Sequence, residues 1–142
     1  MKYLIFNLGE NTFGISIDKV KELVKFKRLR RLSQMPKWLS GIVSYRKENY
    51  GYVRLWEILK TPSPEKEIIL FLTGVDLVSF GIGNLAGIKD ISVKGVSHSF
   101  LRLKYIEGIG NLNGNIVLII SPVNLIGSRK INTIKQLLKG RK

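Results

Sequence analysis

Nucleophilic or metal-assisted catalysis needs residue types that this chain almost lacks. Its 142 residues include no cysteine and a single histidine, His98, which lies between Ser97 and Ser99. A hydrolytic triad needs a histidine held by an acid and facing a nucleophile, whereas His98 is expected in an exposed loop. The absence of cysteine excludes thiolate metal sites and thiol catalysis, and the acidic residues show no Asp-x-Asp or Glu-x-x-His spacing. We therefore predict no catalytic residue, no metal site and no cofactor.

One glycine motif has the form of a dinucleotide-binding loop. Residues Gly81 to Ala86 fit the pattern Gly-x-Gly-x-x-Ala. In a dinucleotide-binding fold these glycines let a pyrophosphate approach the N-terminus of the next helix. Here the following residues are rich in β-branched types and are interrupted by Gly87 and Gly95, which disfavours a helix. The motif is therefore interpreted as a turn between two strands.

The chain is strongly basic, with a net charge of +14. The densest block holds Lys19, Lys21, Lys25, Lys27, Arg28, Arg30 and Arg31. Such a block attracts nucleic acid, anionic lipid or an acidic protein face, or it is a solvated surface. No apolar run approaches the roughly 18 residues of a membrane-spanning helix, and the first residues are too briefly apolar for a signal peptide. A soluble, cytoplasmic protein is expected.

Short strands separated by turns dominate the pattern. Hairpins are predicted for 3–8 with 12–17 and for 42–45 with 50–56, with turns at 9–11 and 47–49. Further strands are predicted at 68–73, 77–82, 88–93 and 116–120, with a hairpin turn at Asn113-Gly114. Pro62 and Pro64 mark a linker over 61–67. Residues 130–139 carry apolar side chains at helical spacing, which predicts a C-terminal helix docked on the core.

The two halves of the chain repeat each other at a fixed offset of 67 residues. Phe13-Gly14-Ile15 recurs as Phe80-Gly81-Ile82, and Gly41-Ile42 recurs as Gly108-Ile109. Ile58-Leu59 is likewise answered by Leu125-Ile126. Three such matches in the same order indicate two similar β-subdomains, at about 1–60 and 68–126. The sequence thus predicts an all-β fold of two five-stranded, SH3-like barrels. Neither half would bury much surface alone, so an apolar core shared between them is expected.

Several short motifs resemble the CheW family, the adaptor proteins of bacterial chemotaxis. The first half contains Leu8-Gly9, Phe13-Gly14-Ile15, Val20, Glu22-Leu23, Pro36, Trp38, Gly41-Ile42 and Ser44-Tyr45-Arg46-Lys47. The second half contains Tyr105-Ile106-Glu107-Gly108-Ile109-Gly110-Asn111-Leu112 and later Asn124-Leu125-Ile126. The resemblance covers about residues 3–126. Two departures stand out: Lys47 replaces the family's turn glycine, and Arg54 replaces an acidic residue.

The resemblance implies a scaffold that carries out no chemistry. Such a protein couples the cytoplasmic tip of methyl-accepting chemoreceptors to the regulatory domain of a CheA-type histidine kinase. It is recruited to receptor arrays at the inner face of the membrane without inserting into it. The matching positions imply a partner-binding patch of Val20, Glu22, Gly41 and Arg46. We further hypothesise an ion pair between Glu22 and Arg46, since the arginine fork can hold a carboxylate with two hydrogen bonds.

A nucleic-acid-binding β-barrel is the alternative function. Four aromatic residues, Tyr45, Tyr50, Tyr52 and Trp56, lie near basic residues and could stack on the bases of a single strand. However, they alternate along one strand, so half of them must face inward. Nucleic acid is therefore not the expected partner. A true nucleic-acid binder would lose affinity steeply with salt.

Overall fold

The computed structural model describes residues 1–96 and 104–139, so the loop expected at His98 lies outside the described residues. The strands are β1 (Lys2–Leu8), β2 (Asn11–Ser16), β3 (Val20–Lys25), β4 (Gly41–Tyr45), β5 (Glu48–Arg54), β6 (Glu67–Leu72), β7 (Val78–Gly83), β8 (Leu85–Asp90), β9 (Val93–Gly95), β10 (Ile106–Leu112) and β11 (Asn115–Ile120). The helices are α1 (Leu55–Leu59), α2 (Pro122–Ile126) and α3 (Ser128–Lys139), and a 3-10 turn (Ile17–Lys19) joins β2 to β3. Within these ranges no helix has the length and apolar character needed to cross a membrane.

The strands form two sheets with equivalent connectivity. The six-stranded sheet has the order β8-β1-β2-β11-β10-β9, and the five-stranded sheet has the order β3-β6-β7-β5-β4. In each sheet a central strand, β2 or β7, pairs antiparallel with the preceding strand and parallel with a distant one. The predicted β fold with two similar SH3-like units and a C-terminal helix is confirmed. The six-stranded sheet has one strand more than the five predicted, β9, and neither strand order closes into a hydrogen-bonded barrel.

The sheets exchange strands between the sequence halves 1–60 and 68–126. Strands β1 and β2 join β8, β10 and β11 from the second half, whereas β6 and β7 join β3, β4 and β5 from the first. The predicted halves therefore describe the sequence repeat and differ from the spatial units. The chain crosses to the other sheet at the 3-10 turn and again at Asn84, which has a φ of 51°. Each half consequently supplies strands that the other half needs.

A single large core lies between the two sheets. It joins Phe6 and Ile15 of the six-stranded sheet to Leu70 and Phe80 of the five-stranded sheet. This agrees with the apolar core predicted between the two units. Because the core draws on both sheets, burying its side chains requires that the whole chain folds together.

Helix α3 is docked on this core, as predicted for residues 130–139. Ile131 and Ile134 are buried on its inner face. Gly51 of β5 makes room for the helix, since a Cβ there would lie 2.5 Å from Cγ2 of Ile134. The apolar face of α3 is therefore used within the fold.

The predicted hairpins form, with small shifts at their ends. Asn113 and Gly114 have φ values of 52° and 87°, as a type I′ turn requires. The turn predicted at 47–49 lies instead at Arg46 and Lys47, and β5 begins at Glu48. Trp56, predicted to end that strand, lies in α1. The pairing of β5 with β7 stops at Arg54, opposite Gly81, so the chain can turn into a helix there.

The Gly81–Ala86 motif is a connection between strands, as interpreted. Strand β7 ends at Gly83 and β8 begins at Leu85, with no helix after the glycines. The structure divides the predicted strand 88–93 between the end of β8 and the start of β9. A Cβ at Gly81 would collide with the hydroxyl group of Tyr52. The absence of a side chain at Gly81 therefore leaves room for the Tyr52 side chain on the sheet.

Candidate functional site

Two of the predicted site residues meet across the open side of the five-stranded sheet. Glu22 lies on the edge strand β3, and Arg46 follows the other edge strand, β4. Nη2 of Arg46 lies 3.4 Å from Oε1 of Glu22. Because β3 and β4 stand at opposite ends of the strand order, the sheet must curl until its edges approach. The structure thus contains the ion pair hypothesised from the sequence.

A third residue, Tyr45, forms hydrogen bonds with both members of the pair. Sequence analysis did not place Tyr45 in the site. The Tyr45 hydroxyl donates a hydrogen bond to the second carboxylate oxygen of Glu22. Nε of Arg46 donates to the Tyr45 hydroxyl oxygen at 3.0 Å, and the guanidinium carbon lies 5.2 Å from the ring centroid. The expected two-bond fork on the carboxylate is therefore replaced by one contact to Glu22 and one to Tyr45. In the sequence, the signal that could have placed Tyr45 in the site was its position directly before Arg46.

The contacts in this group favour a neutral Tyr45 and a charged Arg46. The hydrogen bond to Glu22 is the main reason why the pKa of Tyr45 is raised. The pKa of Arg46 is raised by its hydrogen bond to Tyr45 and by the charge of Glu22. Tyr45 consequently remains a neutral donor and Arg46 a cation near neutral pH. The Arg46 side chain is 74% exposed, so it presents its charge to solvent and to any partner.

The other two predicted site residues, Val20 and Gly41, are not part of this ion pair. Val20 begins β3 and is half-buried against the main core. Gly41 is buried at the start of β4, five residues before Arg46, or about 16 Å along an extended strand. A Cβ at Gly41 would lie 3.0 Å from Cβ of Leu29 and 3.1 Å from the carbonyl oxygen of Arg30. The close approach at Gly41 is thus made by this chain's own backbone.

The turn that carries Arg46 is strained. Arg46 and Lys47 have φ values of 50° and 66°, in the left-handed region that costs a non-glycine residue about 1–2 kcal/mol. A two-residue hairpin turn of this type favours glycine at its second position. Lys47, which replaces the glycine of the resembled family, is therefore a local source of instability.

We expect Lys47→Gly to raise the free energy of unfolding by about 0.5–1 kcal/mol, because relief of strain exceeds the added flexibility of the unfolded chain. Urea unfolding followed by circular dichroism measures this. The matched control is Lys25→Gly, at an exposed strand position where glycine should destabilise. Equal effects of the two changes would contradict the strain at Lys47.

A second charged group, formed by Arg54 and Glu67, lies on the same face of the five-stranded sheet. Nε of Arg54 lies 2.8 Å from Oε2 of Glu67, and the Tyr52 hydroxyl donates to the same oxygen at 2.6 Å. The guanidinium also lies within 6 Å of the ring centroids of three aromatic residues, Phe26, Tyr52 and Trp56. Burial is the main reason why the pKa of Tyr52 is raised. Arg54 stands where the resembled family has an acidic residue, and Glu67 neutralises the charge of this arginine.

The aromatic residues do not form a stacking surface for nucleic acid. Tyr52 is fully buried and Trp56 is 7% exposed. The two more accessible rings, Tyr45 and Tyr50, have hydroxyls that donate to Glu22 and Glu48, and these carboxylates would repel phosphates. Within the described ranges, no three histidine or acidic side chains are grouped to hold a metal ion.

Comparisons with known proteins agree with this architecture. The family model described as "CheW-like domain" matches residues 2–130. The chain is 19% identical to "Chemotaxis protein CheW" of Klebsiella aerogenes, covering 97% of this chain and 89% of that protein. It is also similar to the crystal structure of the scaffolding protein TtCheW from Thermoanaerobacter tengcongensis, with a TM-score of 0.75 and 18% identity over 89% of this chain and 87% of that one.

Proposed function

This chain belongs to the CheW-like domain family of chemotaxis scaffold proteins, and we propose that it is an adaptor coupling methyl-accepting chemoreceptors to a CheA-type histidine kinase. The observation that carries the proposal is the family match over residues 2–130, nearly the whole chain. The adaptor performs no chemical step of its own. It acts in the cytoplasm and is recruited to receptor arrays at the inner face of the membrane.

The architecture supports a protein with two docking regions. Two equivalent sheets share one core, so the molecule has two similar units that can each dock on a different partner. In the proposed assembly the helical tip of the receptor packs along the seam between the two units, and the end of one sheet docks on the kinase regulatory domain. Each contact can be modest, because repetition of linked contacts in an array raises the overall affinity.

We assign the partner-binding patch to Val20, Glu22, Gly41 and Arg46, with different roles. Glu22 and Arg46 supply charge at the curled edge of the five-stranded sheet, and Val20 supplies half-buried apolar surface on the same strand as Glu22. Gly41 acts indirectly, since it is buried against Leu29 and keeps β4 in position. The proposal therefore separates contact residues from one positioning residue.

The proposal is tested by titrating the isotope-labelled chain with a cognate kinase regulatory domain at physiological salt. We expect saturable chemical-shift changes around Val20, Glu22 and Arg46, with a mild dependence on salt. A receptor-tip fragment added in a second titration should bind at the same time as the kinase domain. Absence of binding to both proteins would overturn the adaptor function.

Single-stranded nucleic acid is the comparison ligand in the same experiment. The basic block 19–31 is partly engaged within the fold, since Nζ of Lys19 lies 2.5 Å from Oε1 of Glu107 and Arg31 donates to the carbonyl oxygen of Ser40. We expect only weak shifts that disappear steeply with salt. Specific shifts with nucleic acid alone, spread over 19–31 and 50–56, would replace the adaptor function with the alternative.

A further inference from the structure

A pocket of about 410 Å³ opens on the five-stranded sheet, beside the Glu22–Arg46 ion pair. It lies between β3, the β4–β5 hairpin and the segment that joins β6 to β7. Its lining residues are Lys21, Glu22, Tyr45, Glu48, Tyr50, Phe71, Leu72, Val75, Asp76, Leu77 and Val78. Its volume is within the range of about 300–1,000 Å³ that is usual for ligand pockets. The side chains on its walls define what it can bind.

Three aromatic rings form one wall of this pocket. Phe71 is buried, with 3% of its surface exposed. Tyr45 stacks on it with ring centroids 4.7 Å apart, and Tyr50 meets it edge-on at 4.8 Å. The outer rings are half-buried, so part of their surface remains accessible. Aromatic faces attract cations through their quadrupole, and arginine is the more common partner.

Carboxylates also line the pocket. Glu22, Glu48 and Asp76 line the pocket and face only one lysine, Lys21, so the pocket is acidic in a chain of net charge +14. Among the described ion pairs, only Glu22 has a cationic partner, whereas Glu48 and Asp76 have none. The pocket thus has a charge opposite to that of the molecule as a whole. A cationic group is the complementary ligand.

Arg46 shows within this molecule how such a group is held. Its guanidinium lies over the Tyr45 ring, with Nε on the phenol oxygen and Nη2 near Glu22. Arg46 is not among the lining residues, whereas Tyr50, Glu48 and Asp76 are. The pocket therefore offers a second set of aromatic and carboxylate groups. The planar guanidinium of an arginine can stack on an aromatic ring and form paired hydrogen bonds at the same time, which a lysine ammonium cannot do.

We propose that this pocket binds the guanidinium of an arginine side chain supplied by a partner protein. Aromatic stacking on Tyr50 would set its plane, and Glu48 and Asp76 would accept its hydrogen bonds. That the arginine belongs to a kinase or receptor rests on the proposed adaptor function. The preference for a guanidinium rests on the pocket alone.

The test uses the isotope-labelled full chain and three small probes. These are N-acetyl-arginine amide, N-acetyl-lysine amide and N-acetyl-citrulline amide, in which a neutral urea replaces the guanidinium. We expect saturable shifts at Glu48, Tyr50 and Asp76 with the arginine probe, at least threefold weaker binding of the lysine probe, and no saturation with the citrulline probe. Equal binding of the arginine and citrulline probes, or no saturation with any probe, would overturn the proposal.

Substitutions then locate the binding. Glu48→Gln combined with Asp76→Asn changes two exposed side chains and should weaken the arginine probe at least fivefold. Glu65→Gln, an exposed change outside the pocket, is the matched control and should not alter affinity. Unchanged affinity in the double variant would overturn the assignment of the pocket.

The same variants separate this proposal from the adaptor function. If the double variant loses the arginine probe and also binds the kinase domain or receptor tip more weakly, both proposals are supported. If it loses the probe but neither protein binds even the unmodified chain, the pocket remains and the adaptor function fails. If both proteins bind the double variant normally, no partner arginine uses the pocket and the inference fails.

Discussion

Replacing Glu67 with alanine is expected to lower the free energy of unfolding by about 3 kcal/mol, because it leaves a partly buried cation and a buried phenol without their shared acceptor. The Arg54 and Glu67 side chains are only 27% and 18% exposed. Tyr52 is fully buried and donates to the same carboxylate. The loss is therefore much larger than for an ion pair at the surface.

Urea unfolding of the Glu67→Ala variant measures this loss. The control is Asp90→Ala, which removes an ion pair with the N-terminal amine in which the two sides are 70% and 55% exposed, and which should cost less than about 1 kcal/mol. Adding Arg54→Leu to Glu67→Ala should recover part of the stability, because the unpaired charge is gone. A Glu67→Ala effect no larger than that of Asp90→Ala would show that the network contributes little.

Reversing either charge of the Glu22–Arg46 pair is expected to weaken binding to the kinase regulatory domain or the receptor tip roughly tenfold. In Glu22→Arg the two cations repel each other, and in Arg46→Glu the two carboxylates do so. The double exchange restores an attractive pair across the same edge and should recover most of the affinity. Isothermal titration of the two single variants and the double variant measures this coupling.

Folding stability separates a binding role from a structural one. Because Arg46 is largely exposed, Arg46→Glu should leave the urea unfolding transition close to that of the unmodified chain. A matched control is Lys19→Glu, which breaks the separate ion pair with Glu107 and should not change partner affinity. Binding of the double exchange no better than that of either single reversal would refute coupling through the pair.

The sequence alone predicted the repeat but not how its halves combine. Matched glycines such as Gly14 and Gly81 revealed two similar units, and they occupy the equivalent central strands β2 and β7. The exchange of strands was not predicted. Pairing partners of a strand are decided by contacts between distant residues, and local patterns do not record them.

The candidate site was predicted in the same incomplete way. Glu22 and Arg46 were chosen because they match positions of the resembled family, and their opposite charges suggested a pair. Tyr45 was overlooked as a site residue, since its role depends on the curl that brings β4 toward β3. Gly41 was predicted to let backbone or a partner approach closely, and the structure shows Leu29 and Arg30 of the same chain against it.

The sequence by itself determined the strand and turn pattern, the docked helix α3, the basic charge and the family. The strand and turn pattern, the helix and the charge follow from local periodicity, turn residues and composition, which act over a few residues. The family follows from the resemblance of short motifs such as Phe13-Gly14-Ile15. The tertiary structure alone decided the exchange of strands, the pairing of Arg54 with Glu67 and the acidic aromatic pocket. The physical reason is that each of these joins side chains far apart in the sequence, and only the packed core fixes their distances.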